Sequence, residues 1–188
     1  EGKKNGAKLI VFDTRLSNTA THADHWLSPY PGSEAAIFLA IANWMIQEGK
    51  YNRDFVRRWW NWQEYLEEVK GEKDASFERF EEVLRELYPE FTFEYAAGES
   101  GLRVDQLEAI AEVISTAGTK LATHNWRSAG SGNLGGWQVA RTLTLLHSLL
   151  GALATEGGTF PNSWNKFTPK PPRMPHQKPR RWSEVLWP

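Results

Sequence analysis

Lys8-Leu-Ile-Val-Phe12, followed by Asp13-Thr-Arg15, is the stretch whose reading decides the fold. Four consecutive apolar residues, two of them β-branched, predict a short buried strand, with the acidic residue at its C-terminal edge. That edge is where open α/β sheets bind their ligands. Working outward, Ala23-Asp-His-Trp-Leu27 reads as a second short strand, and Pro29-Tyr-Pro-Gly32 as a turn. Ser33 stands in position to cap a helix over Glu34 to Glu48. Its apolar residues Ile37, Phe38, Ile41, Trp44 and Met45 keep helical spacing before Gly49 stops it. This helix is expected to pack on the sheet.

Further along, Asn52 is a cap for a helix through Trp60, and the charged stretch from Trp62 to Tyr88 carries Phe77, Phe80, Val83, Leu84 and Leu87 at helical spacing. Val104, Leu107, Ile110, Ala111 and Ile114 form another amphipathic stripe closed by Gly118, and Lys120 to His124 reads as a returning strand. A glycine-rich loop from Ala129 to Gly136 leads into a helix over Trp137 to Leu150, closed by Gly151. Strand, glycine loop and helix are the parts of a phosphate cradle. The expected architecture is α/β: a mainly parallel Rossmann-like sheet with flanking helices, a helical insertion and a Pro-rich extended C-terminal arm. Its divisions are residues 1–61 and 102–157 for the α/β part, 62–101 for the insertion and 158–188 for the arm, where most of the ten prolines lie.

Composition sets bounds on function. The 188 residues are 40% hydrophobic and 24% charged, enough for one folded domain with a core. A net charge of −1 supplies no bulk attraction to nucleic acid or to an anionic membrane, and no apolar run is long enough to insert into one. With no cysteine, thiolate metal sites and iron–sulfur clusters are excluded from this stretch. Ten tryptophans point to extensive aromatic packing, or to surfaces that something else covers.

Asp13 can accept hydrogen bonds from ribose hydroxyls, or simply cap the following turn. Arg15, Ser17 and Thr19 offer guanidinium and hydroxyl donors to a phosphate, or form a polar surface loop. Glu34 can face the N1–H and N2 amine of guanine with its two oxygens, or favour the positive end of its helix. His22 and His25 flank Asp24, but on a strand they do not converge on one metal as helical neighbours four apart do. His124 and His147 read as core or loop histidines, because no nucleophile is placed with them. No catalytic residue and no metal ligand is assigned.

Taken together, Asn5-Gly-Ala-Lys8, Asp13-Thr-Arg15, Thr19-Ala20, Ala23-Asp24 and Pro31-Gly-Ser-Glu34 resemble the central segment of the dimethyl sulfoxide reductase and formate dehydrogenase family of molybdopterin oxidoreductases. That family's pattern is an Asn-Gly-Ala-Lys strand ending in Asp-Pro-Arg, then Thr-Ala, Ala-Asp and Pro-Gly-Thr-Asp. The likeness resumes at Glu48 to Val56, and again from Trp126 through the glycine loop to Gly158. Thr14 stands where proline is usual, Glu34 where Asp is commoner, and Trp126-Arg-Ser-Ala-Gly130 where Trp-Gly-Met-Gly is usual.

The resemblance implies an internal segment of a longer catalytic subunit. It implies a bis-molybdopterin guanine dinucleotide cofactor with molybdenum or tungsten, to which Asp13, Arg15, Thr19, Glu34, Trp126, Arg127, Gly130 and Gly132 would contribute contacts. The isolated chain is expected to be inactive and to retain no cofactor. Its implied partners are the remaining domains of the parent subunit and an electron-transfer subunit. The competing reading is a non-catalytic nucleotide-binding or protein-interaction module.

Overall fold

The computed structural model describes residues 2–125 and 135–160. Strand β1 (Ile10–Phe12) pairs in parallel with β2 (His25–Leu27), in the register Ile10↔His25, Val11↔Trp26 and Phe12↔Leu27. Both expected strands form, and they run parallel as anticipated. Among the described residues, however, the sheet has only these two strands, and helix dominates the molecule.

The expected strand over Lys120 to His124 is absent. Gly118–Lys120 is a turn of 3-10 helix, and residues 121–125 join no ladder. Strand preference depends on having a neighbour to pair with, and this segment is tied down differently. The Thr123 amide donates to Thr159 Oγ1 (3.4 Å) and Thr155 Oγ1 donates to the Thr119 carbonyl (2.7 Å). The expected arm beyond Phe160 lies outside the described residues, as does most of the glycine loop.

Helix α1 (Glu34–Gln47) is apolar on nearly every face, which predicts a helix buried all round. Ile37, Ile41 and Met45 have no exposed surface. The helix meets the sheet through Phe12 and Phe38, whose rings pack edge to face at 5.2 Å. Its remaining faces are covered by α4 (Phe77–Glu86), α5 (Phe93–Ser100), α6 (Val104–Ser115) and α7 (Gly136–Leu150). The buried Asn43 is satisfied on both sides, donating to the Phe91 carbonyl (3.0 Å) and accepting from Gln47 (3.1 Å). The Ser33 hydroxyl does not cap this helix. It turns back to donate to the Tyr30 carbonyl (2.7 Å), and Glu34 Oε2 accepts from the Gly32 amide (3.0 Å) instead.

Other helix starts follow the capping rules. Asn52 accepts from the Phe55 amide at the start of α2 (Arg53–Trp59), Ser76 from Arg79 in α4, and Thr92 from Tyr95 in α5. Between them lies α3 (Trp62–Glu68). Trp60, Trp62, Tyr65, Phe77 and Phe80 form one aromatic cluster with ring centroids 5.4–6.4 Å apart. Arg53 joins α2 to α4 by donating to Glu78 and Glu81, and the Tyr51 hydroxyl also donates to Glu81 (2.7 Å). Burial, then Glu81, pushes the Tyr51 phenol up to about 12.

Two glycines are fixed by both backbone and neighbours. At Gly101 (φ 72°), which ends α5, a Cβ would lie 2.7 Å from Tyr30 Cζ, and the Tyr30 amide donates to the Ser100 carbonyl (2.9 Å). At Gly151 (φ 69°), which ends α7, a Cβ would lie 2.9 Å from Asn52 Nδ2 and 3.1 Å from the Phe55 ring. Replacing Gly151 with alanine therefore adds left-handed strain to a clash against the α2 cap, and is expected to destabilise the chain by about 2–4 kcal/mol. Chemical denaturation followed by far-UV circular dichroism measures this; a midpoint equal to wild type would show that the contact is slack.

Candidate functional site

The C-terminal ends of β1 and β2 lie side by side, and each leads into a turn. After β1, the Asp13 amide donates to the Leu27 carbonyl (3.0 Å), and the chain leaves the sheet. Asp13 Oδ1 then accepts from the Arg15 amide (3.1 Å), the geometry of a side chain closing its own turn. The Arg15 amide, followed by the Ser17 hydroxyl, holds the Asp13 carboxyl below its ordinary value of 3.8, so it is anionic at neutral pH. Arg15 and Thr19 are exposed. Arg15, Leu16, Ser17, Asn18 and Thr19 line an open depression of about 450 Å3 directly after Asp13.

Glu34 stands at the first residue of α1, seven residues beyond β2. It is half-buried, its Oε2 occupied by the Gly32 amide, and it does not line the depression. Arg15 and Thr19 thus share one hollow with Asp13 closing the turn before it, while Glu34 comes from the neighbouring strand-to-helix turn. Trp126, Arg127, Gly130 and Gly132 lie outside the described residues. The glycine loop enters view at Gly135 (φ 84°), which precedes α7.

Asp24 has a role that its flanking histidines had obscured. Its Oδ2 accepts from the Leu9 amide (2.7 Å) and pairs with Lys3 (3.1 Å), while its own amide donates to the Leu9 carbonyl (2.8 Å). The carboxylate staples the segment entering β1 to the segment entering β2. Among the described residues no group of three His, Cys, Asp or Glu side chains is arranged to hold a metal. His147 is a core histidine, as expected. It is 4% exposed, and its Nε2 shares a hydrogen bond with Thr159 Oγ1 (3.2 Å).

A family model described as molybdopterin oxidoreductase matches residues 1–170. The chain belongs to the molybdopterin oxidoreductase family. Its relatives include the molybdopterin-containing subunit PhsA of thiosulfate reductase from Salmonella typhimurium, 27% identical over 159 residues, covering 84% of this chain and 18% of that protein. The molybdopterin-containing subunit ArrA of arsenate respiratory reductase from Shewanella is 29% identical, over 84% of this chain and 19% of that subunit. Acetylene hydratase from Pelobacter acetylenicus has the same fold over 81% of this chain and 18% of its own, with a TM-score of 0.60 at 24% identity. This molybdopterin oxidoreductase chain therefore spans under a fifth of the length of these relatives.

Burial lowers the pKa of His147 below its ordinary 6.5, because the cation loses water. The unfolded chain then binds the extra proton first, so the contribution of neutral His147 is complete above pH about 6.5 and is lost as pH falls toward the folded value. Urea denaturation across pH 7 to 4.5 is expected to show a loss of stability that becomes shallower in His147→Gln. Parallel curves for the two proteins would refute the buried neutral state.

Proposed function

We propose that this chain forms part of the nucleotide cradle of a longer molybdenum or tungsten oxidoreductase, holding one guanosine end of a molybdopterin guanine dinucleotide. The observation that carries the reading is the neighbouring pair of turns at the C-terminal ends of two parallel strands, one ending in Asp13 and Arg15 and the other in Glu34 at the start of α1. Ligands of parallel α/β sheets settle at this end.

The side chains fit the chemistry of a nucleotide. Asp13 is an anionic acceptor suited to ribose hydroxyls, and Arg15, Ser17 and Thr19 surround a hollow with donors suited to a phosphate. Glu34 would accept from the N1–H and N2 amine of guanine, an edge that adenine lacks. Trp126, Arg127, Gly130 and Gly132 would contribute from the glycine loop. The bound cofactor would supply the redox centre, while these residues bind and orient it. Membership of the family weighs against a stand-alone interaction module. The other domains of the parent subunit, and an electron-transfer subunit, are the proposed partners.

Two measurements test this reading. Charged hydrogen bonds contribute on the order of 1.5–3 kcal/mol each, yet only part of the cradle is present. GDP is therefore expected to bind the chain in the millimolar to high-micromolar range, about −4 to −6 kcal/mol. Amide shifts in an NMR titration should be larger for GDP than for ADP and should centre on residues 13–19 and 32–34. Glu34→Gln should weaken GDP about tenfold, the loss of one such bond. Equal binding of ADP and GDP would reject the guanine role of Glu34. Separately, elemental analysis of the purified chain is expected to find no stoichiometric molybdenum, tungsten, iron or zinc; any one of them at one per chain would contradict the assignment of all metal ligands to other parts of the parent enzyme.

A further inference from the structure

The turn that carries Asp13 and Arg15 is gripped by three consecutive residues, 26–28, of β2 and its exit. In β2, Trp26 points to the exposed face while Leu27, 3% exposed, faces the core, and Ser28 follows the strand as an exposed residue. Each of the three grips the same turn. The indole Nε1–H of Trp26 donates to the Asp13 carbonyl (2.8 Å), the Leu27 carbonyl accepts the Asp13 amide (3.0 Å), and Ser28 Oγ donates to the Thr14 carbonyl (3.1 Å). Only the middle bond continues the ladder. The outer two depend on which side chains stand at positions 26 and 28.

Thr14, between the two gripped carbonyls, has a φ that no ring fixes, as it would be in proline. Resting on the nucleotide reading above, we infer that Trp26 and Ser28 are positioning residues. They hold the Asp13 and Thr14 carbonyls so that the Asp13 carboxylate and the Arg15 backbone keep the shape that presents both side chains to a ligand. Trp26 is 41% exposed, so its burial in the core is not what places it there. Ser28 is exposed as well. Neither residue is catalytic: each acts on the ligand through the turn.

The test uses the 188-residue chain with Trp26→Phe, which keeps a ring and removes the N–H, and with Ser28→Ala and Ser28→Thr. Hydrogen exchange of the Arg15 amide and the NMR pH titration of the Asp13 carboxyl report on the turn without any ligand. Amides in α1 and α7 report whether the fold is intact.

In Trp26→Phe and Ser28→Ala, Arg15 exchange is expected to rise about tenfold, the loss of one hydrogen bond. The Asp13 titration should move up toward 3.8, and α1 and α7 should be unchanged. Ser28→Thr should restore wild-type values. GDP, used as the probe, should bind each weakened variant about tenfold less tightly than wild type. Unchanged Arg15 exchange and Asp13 titration would overturn the inference, as would a loosened turn that binds GDP as tightly as wild type. A wild-type chain that takes up no GDP would reject the nucleotide reading instead, and the exchange and titration data would still decide the bracing.

Discussion

Helix α1 is the member on which the rest of the structure depends. A helix with Ile37, Ile41 and Met45 fully buried and alanines at 40 and 42 leaves little surface for water, so other elements must enclose most of it. Helices α4 to α7 and the β1–β2 pair are disposed around it. Each fully buried aliphatic side chain contributes on the order of 1.5–3 kcal/mol, so α1 concentrates much of the hydrophobic stabilisation among the described residues. The constraint reaches the site directly, because Glu34 is the first residue of this helix.

The sheet is the opposite case. Two parallel strands of three residues are too small to be stable in isolation. They persist because Phe12 packs on Phe38 and because Asp24 fastens the incoming segment at Leu9. Neighbouring turns at one end of the strands carry Asp13, Arg15 and Glu34, while the stapling carboxylate sits at the other. The short ladder is thus anchored at its far end and free to present side chains at its near end.

Much of this was legible in the sequence where the cause is local. Helix ends at Gly49 and Gly151 and the cap at Asn52 follow from the conformations those residues favour, and α6 follows from apolar spacing. The ordered set of short motifs made the family readable, although no single one was specific. What escaped were features set by distant partners. Lys120 to His124 has the composition of a strand but is tied to Thr155 and Thr159 rather than to a ladder. Ser33 has the identity of a cap, but its hydroxyl is claimed by Tyr30. The staple at Asp24 joins residues fifteen positions apart, and the grips of Trp26 and Ser28 depend on a strand register that no local pattern encodes.

The close approach of Tyr30 to Gly101 links two parts of the chain seventy-one positions apart. Tyr30 belongs to the turn that precedes Glu34, while Gly101 terminates α5. A side chain at 101 would displace the exposed tyrosine ring toward solvent unless position 30 became smaller. Shrinking position 30 would open the space without relieving the left-handed backbone at 101, so glycine stays the favoured residue there whatever side chain stands opposite.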